Sequence, residues 1–110
     1  DAVRQTMSIV LDELLNNVIS YAYQGEKERD IEVEFELSGN RLVLIIKDSG
    51  VPFNPFTSES PDITESIEER AIGGLGIHMV RNMMDDYSYQ RQINKNVVTL
   101  VKLLDDEPAD

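Results

Sequence analysis

Glu13 and Asn17, in the stretch LDELLNNVISYAY, stand four residues apart, which on a helix is one turn. A carboxylate in that position can accept a proton from a hydroxyl or a water. A neutral amide oxygen beside it can ligate Mg²⁺ when substrate phosphates supply most of the remaining ligands. Tyr21 continues the same row. The spacing also suits a plain solvated helix edge, since polar pairs are common on helices.

Two further groups could complete a site. RLVLIIKDSG ends in Asp48, followed at once by Gly50. A strand-end carboxylate can accept a hydrogen bond from the exocyclic amine of a base, and a residue without Cβ lets a flat ring approach the backbone. An ordinary Asp-Ser-Gly turn has the same look. GGLGIHMVRNMM then sets Gly73, Gly74 and Gly76 at the start of a helix, where free N–H groups and the positive end of the dipole favour phosphate. It is neither a P-loop, for no Lys-Ser or Lys-Thr follows, nor a dinucleotide loop, for it follows a loop and not a strand. His78 is the only histidine and there is no cysteine, so a metal cluster or a nucleophilic triad has little to build on. Met79, Met83 and Met84 suit gaps in a core.

These groups need elements to hold them. From Ala2 to about Tyr23 the apolar residues Val3, Met7, Val10, Leu11, Leu14, Leu15, Val18 and Ala22 recur at three and four residue intervals, one face of a helix that Gly25 can end. IEVEFEL alternates, with Ile31, Val33, Phe35 and Leu37 on one face and three glutamates on the other. SGN turns the chain into RLVLIIK, so Ile31 to Lys47 is expected as an antiparallel hairpin. The stretch from Asp48 to Gly76 carries three of the four prolines and four of the six glycines, which marks a long functional loop with a short helix from Ile63 to Arg70. A helix from Ile77 to about Asp85 follows, then a strand YSYQRQI, a turn at NKN and a strand VVTLVKLL. The expected fold is α+β, a two-layer α/β sandwich: a mixed, mostly antiparallel sheet with helices on one face. One domain spans 1–104, and 105–110 form a frayed tail.

Composition narrows the partners. Twenty-one Asp and Glu against ten Lys and Arg give a net charge of −11 over 110 residues. That argues against nucleic acid or an anionic membrane and for a basic protein surface. The lack of cysteine fits a reducing compartment, no apolar run approaches the ~20 residues that span a bilayer, and no signal peptide is visible. The expected location is the cytoplasm.

The order of the motifs resembles the GHKL ATPase superfamily, whose nucleotide site is the Bergerat fold. Within it the details resemble the anti-sigma factor serine kinases. ELLNNVISYAY is similar to their N box, DSGVPFNP to their Asp-x-Gly-x-Pro-Phe box, and GGLGIHMVRNMMDD to their second glycine box and the helix after it. The resemblance runs from about Leu11 to Leu104. It implies ATP and Mg²⁺ as cofactors, Glu13 as general base and Asn17 as the Mg²⁺ ligand. Asp48 would bind the adenine amino group, Gly50 would give the ring room, and Gly74 and Gly76 would hold the phosphates. Tyr21, Phe53, Gly73 and Leu75 would join them around the nucleotide, with Thr99 near the adenine and Asn54 to Ile72 as the ATP lid. The implied partners are an anti-anti-sigma (STAS-type) protein, whose serine takes the γ-phosphate, and a sigma factor or similar regulator, with the kinase as a homodimer. Two departures stand out: the family's strand and helix before the N box are missing, and Arg70 lies three residues ahead of Gly73. A nucleotide-responsive binding module without phosphoryl transfer, and the catalytic lobe of a histidine kinase, remain as alternatives.

Overall fold

The computed structural model describes residues 2–26, 28–57 and 74–104. Helix α1 runs Ala2–Asn17, and its last turn widens into a π-helical turn over Val18–Ala22. No glycine or proline interrupts this stretch. Gly25, at φ +90°, then donates its N–H to the Ile19 carbonyl at 2.7 Å and stops the helix. Strands β1 (Ile31–Ser38) and β2 (Arg41–Asp48) pair antiparallel across a turn whose Gly39 sits at φ +61°. A short 3₁₀ turn, Pro55–Thr57, precedes helix α2, Gly74–Met83. Strands β3 (Asp86–Gln92) and β4 (Lys95–Leu103) complete a fully antiparallel sheet of order β1-β2-β4-β3.

Both helices pack on one face of this sheet, as expected. Val10 and Leu14 of α1, Ile77 and Val80 of α2, and Leu44, Ile46, Val98 and Leu100 of the central strands form one buried cluster. Each such side chain contributes about 1.5–3 kcal/mol when fully withdrawn from water. Register decides which strand residues face the helices. Asp48 pairs with Asn96, Ile46 with Val98 and Leu44 with Leu100, so these six share the helix-facing side. Among the described residues, no helix is long and apolar enough to cross a membrane.

Several expectations change. Helix α2 starts at Gly74 and not at Ile77, so Gly76 lies within its first turn. The β3–β4 turn is Ile93–Asn94, both at positive φ (35° and 65°), and not NKN. A β-branched residue is disfavoured at positive φ, which is why the sequence points one step further on. The apolar face of β1 is not covered: Val33, Phe35 and Leu37 are 38%, 51% and 66% exposed. As an edge strand, β1 meets the helix-built cluster only through Ile31. Met79 is likewise exposed, while Met84 is buried and Met83 packs at the margin of the core. The expected helix from 63 to 70, Arg70, Gly73 and the tail 105–110 lie outside the described residues.

Candidate functional site

Glu13 and Asn17 leave α1 toward the start of α2. Asn17 is buried at 5% exposure, deeper than a helix edge suggests, and Glu13 is half-buried. The Glu13 carboxylate rests directly on Gly76: a Cβ built on that glycine would overlap the carboxylate carbon and both its oxygens. Glycine at this position is therefore what lets the acid reach the first turn of α2. Among the described residues, Glu13 Oε2 and Asn17 Nδ2 are buried without hydrogen-bond partners. Such atoms are costly unless something outside the chain pairs with them. Burial holds the Glu13 carboxyl above its ordinary value of 4.5, and the nearby Asn17 side chain offsets this in part by proximity.

Asp48 occupies the end of β2 on the helix-facing side, 4% exposed. Its Oδ1 accepts the Gly50 N–H at 2.9 Å and the Asn96 Nδ2–H at 2.8 Å. Leu14, Val18, Ile46 and Val98 line an apolar recess beside it, with Asn17 at one side and Phe53 and Pro55 from the following loop. The recess as it stands encloses about 10 Å³, about one water's worth of space. The Phe53 ring stacks on Tyr21, centroids 5.1 Å apart. Beyond it, Arg81 of α2 donates to the Phe56 carbonyl, and the Phe56 ring tilts against Tyr87. The loop after β2 is thus held on α1, α2 and β3 together.

The structure sets Glu13 against Gly76 and gathers Asn17, Asp48 and Phe53 around the recess, with Tyr21 against Phe53. Gly74 contributes α2's first backbone turn, as does Leu75, whose side chain is not among those described. Two of the expected site residues have surroundings that the sequence does not indicate. Gly50 has a packing role: a Cβ there would lie 2.6 Å from the Ala22 carbonyl carbon and 2.9 Å from Ala22 Cβ. Its lack of a side chain lets the loop close onto the end of the π turn, where Val51 N–H donates to Ala22 O at 3.0 Å. Thr99 pairs with Ile45 and Ser88, one residue out of phase with Val98 and Leu100, and so faces away from Asp48. The residue that does reach Asp48 from β4 is Asn96, 1% exposed. Sequence reasoning missed it by placing it in the turn, and the one available signal was a polar residue three positions ahead of Thr99 on the alternate face.

Comparison with known proteins places the chain in a family. Residues 1–102 match the model of the histidine kinase-like ATPase domain. The chain is 31% identical over 98 residues to the serine/threonine-protein kinase BtrW of Bordetella bronchiseptica, covering 89% of this chain and 69% of that protein. It is 33% identical over 86 residues to the serine-protein kinase RsbW of Bacillus mycoides, covering 74% of this chain and 53% of that one. It therefore spans only about half the length of RsbW. Among solved structures, the Acinetobacter baumannii histidine kinase AdeS superposes over 94% of this chain and 48% of its own, with a TM-score of 0.59 and 20% identity, a likeness of fold. The half-buried acid and buried amide, with a carboxylate-edged recess beside them, stand within the residues that match this family, and the chain belongs to the histidine kinase-like ATPase domain family.

Proposed function

We propose that the chain is the ATP-binding, phosphoryl-transferring unit of a serine-protein kinase of the anti-sigma type. The observation that carries this is the Glu13 carboxylate lying on Gly76 with an unpartnered oxygen, beside an unpartnered Asn17 amide. A buried acid whose proton affinity is raised, aimed at the first turn of a glycine-opened helix, suits a general base placed next to a phosphate.

Adenine would enter the recess of Leu14, Val18, Ile46 and Val98, its amino group donating to Asp48. The recess is too small for a purine as it stands, so Phe53 and Pro55 must move; the lid expected from Asn54 to Ile72 lies, beyond Thr57, outside the described residues. The phosphates would then lie along the backbone N–H groups at the start of α2. An acceptor serine Oγ attacks the γ-phosphorus, the bond from that phosphorus to the β-bridging oxygen breaks, ADP departs, and the serine proton passes to Glu13. Asn17 has the chemistry to help hold Mg²⁺. The remaining ligands of such an ion would be phosphate oxygens and water. When bound, that ion neutralises charge on the transferring phosphoryl group. The acceptor is proposed to be an anti-anti-sigma (STAS-type) protein, and a sigma factor or similar regulator the bound target. The charge of −11 suits a basic partner surface.

The test is incubation of the chain with Mg-ATP and candidate acceptor proteins, beside Glu13→Ala. Phosphoserine should form with the wild type and fall by about 10²-fold or more in the variant. Equal rates in the two would remove Glu13 from the mechanism. Nucleotide-responsive partner binding with no phosphorylated product would replace the kinase by a regulatory binding module.

A further inference from the structure

The hydrogen bonds around Asn96 use every donor and acceptor its side chain has. Nδ2 donates to Asp48 Oδ1 and to the Val51 carbonyl, both at 2.8 Å. Oδ1 accepts from Phe53 N–H at 3.1 Å, from the Tyr89 hydroxyl at 2.5 Å and from Arg91 Nη1 at 3.1 Å. An amide rotated end for end would turn its N–H groups against those three donors, so the orientation is fixed by the protein itself. Arg91 is held in turn by the Gly50 carbonyl at 2.8 Å.

We infer that Asn96, oriented by Tyr89, Arg91 and the Phe53 amide, is a positioning residue that sets which base the Asp48 carboxylate reads. Asn96 and the Gly50 amide both engage Oδ1, which fixes the plane of the carboxylate and leaves Oδ2 as the oxygen offered to a ligand. An acceptor held in that way pairs with a ring edge carrying an amine and opposes one carrying an oxo group. The Asn96 side chain also spans the first residues of the loop, Val51 and Phe53, so the geometry of base reading and the seating of Phe53 over the recess depend on one group. Its burial and its full set of partners explain why a polar side chain is kept there.

This rests on the nucleotide reading above, and the experiment separates the two. Affinities of ADP and of its 6-oxo analogue inosine diphosphate are measured by calorimetry for the wild-type chain, Asn96→Ala and Tyr89→Phe. The wild type should prefer ADP. Asn96→Ala should lose that preference by about ten-fold, the size expected when a polar contact is no longer held against its partner, while affinity for inosine diphosphate stays nearly constant. Tyr89→Phe removes one of three donors to Oδ1, and its preference should fall by about three-fold. A merely structural role would weaken both ligands together. Should Asn96→Ala fail to fold, Tyr89→Phe decides. An unchanged ratio in a folded variant overturns the inference alone, whereas a wild-type chain that binds no ADP overturns the nucleotide reading and the inference with it.

Discussion

Replacing Gly50 by alanine isolates the contact on which the loop after β2 closes. Gly50 is not at positive φ, so alanine meets no backbone penalty and gains about 0.4–1 kcal/mol from a less mobile unfolded chain. Against this stands the new methyl, 2.6 Å from the Ala22 carbonyl carbon and 2.9 Å from Ala22 Cβ. Unstrained carbons sit about 3.5–4.0 Å apart, so the loop must withdraw by roughly 1 Å. Overpacking of this kind costs about 1–3 kcal/mol. The same withdrawal stretches the Val51 N–H to Ala22 O bond, now 3.0 Å, at a loss of about 1 kcal/mol. The sum is a net destabilisation of roughly 1–4 kcal/mol, and at ~4 °C per kcal/mol a fall in melting temperature of roughly 4–15 °C. Urea and thermal unfolding of the variant measure both quantities. Val51→Ala is the control, because its exposed side chain can go with a change within about 0.5 kcal/mol while its amide stays. A Gly50→Ala melt within about 2 °C of the wild type would refute the steric account, since the decrement follows from backbone atoms that cannot rotate away.

Glu13→Gln changes how stability depends on pH. Burial raises the folded-state value of Glu13 above its ordinary 4.5, so between that point and the raised value the folded chain binds more protons than the unfolded one. Stability from this group is full below 4.5 and declines as pH rises through the folded value. Glutamine removes that decline, so the variant should melt higher than the wild type at pH 7 and lose its advantage in acid, while phosphoryl transfer is lost. Scanning melting temperature against pH for both proteins checks the sign. Ile93→Asn replaces a β-branched residue at φ 35° that is 91% exposed. Asparagine tolerates that conformation, so unfolding in urea should show a gain of about 1 kcal/mol with nucleotide affinity unchanged.

The periodic parts of the fold were legible because periodicity reports directly on geometry. Val10 and Leu14 at helical spacing, and Leu44 and Ile46 two apart, are buried where their patterns put them. The pairing of Glu13 with Asn17 was legible for the same reason. Phe35 shows the limit: alternation tells which face a side chain takes, but whether anything lies over that face is decided by elements distant in sequence. Asn96 and Thr99 show another. A strand's phase is set by its turn, and with the turn at Ile93–Asn94 it is Asn96 that pairs with Asp48 while Thr99 lies on the other face of β4. The contact of Glu13 with Gly76 depends on two helices meeting, which no local pattern in either one records.

The π turn at Val18–Ala22 makes this stretch of chain sensitive to length as well as to side-chain identity. A π turn amounts to an α-helix with one residue too many, so losing a single codon there would leave a regular helix of comparable strength. Everything beyond would be rotated by about 100°. Tyr23, whose hydroxyl donates to the Asp30 carbonyl at 2.6 Å and accepts the Ser49 N–H at 2.9 Å, would swing out of reach of both, and Ala22 would no longer meet Gly50. Insertions and deletions within the turn are therefore purged, so lineages should agree in residue count between Asn17 and Tyr23.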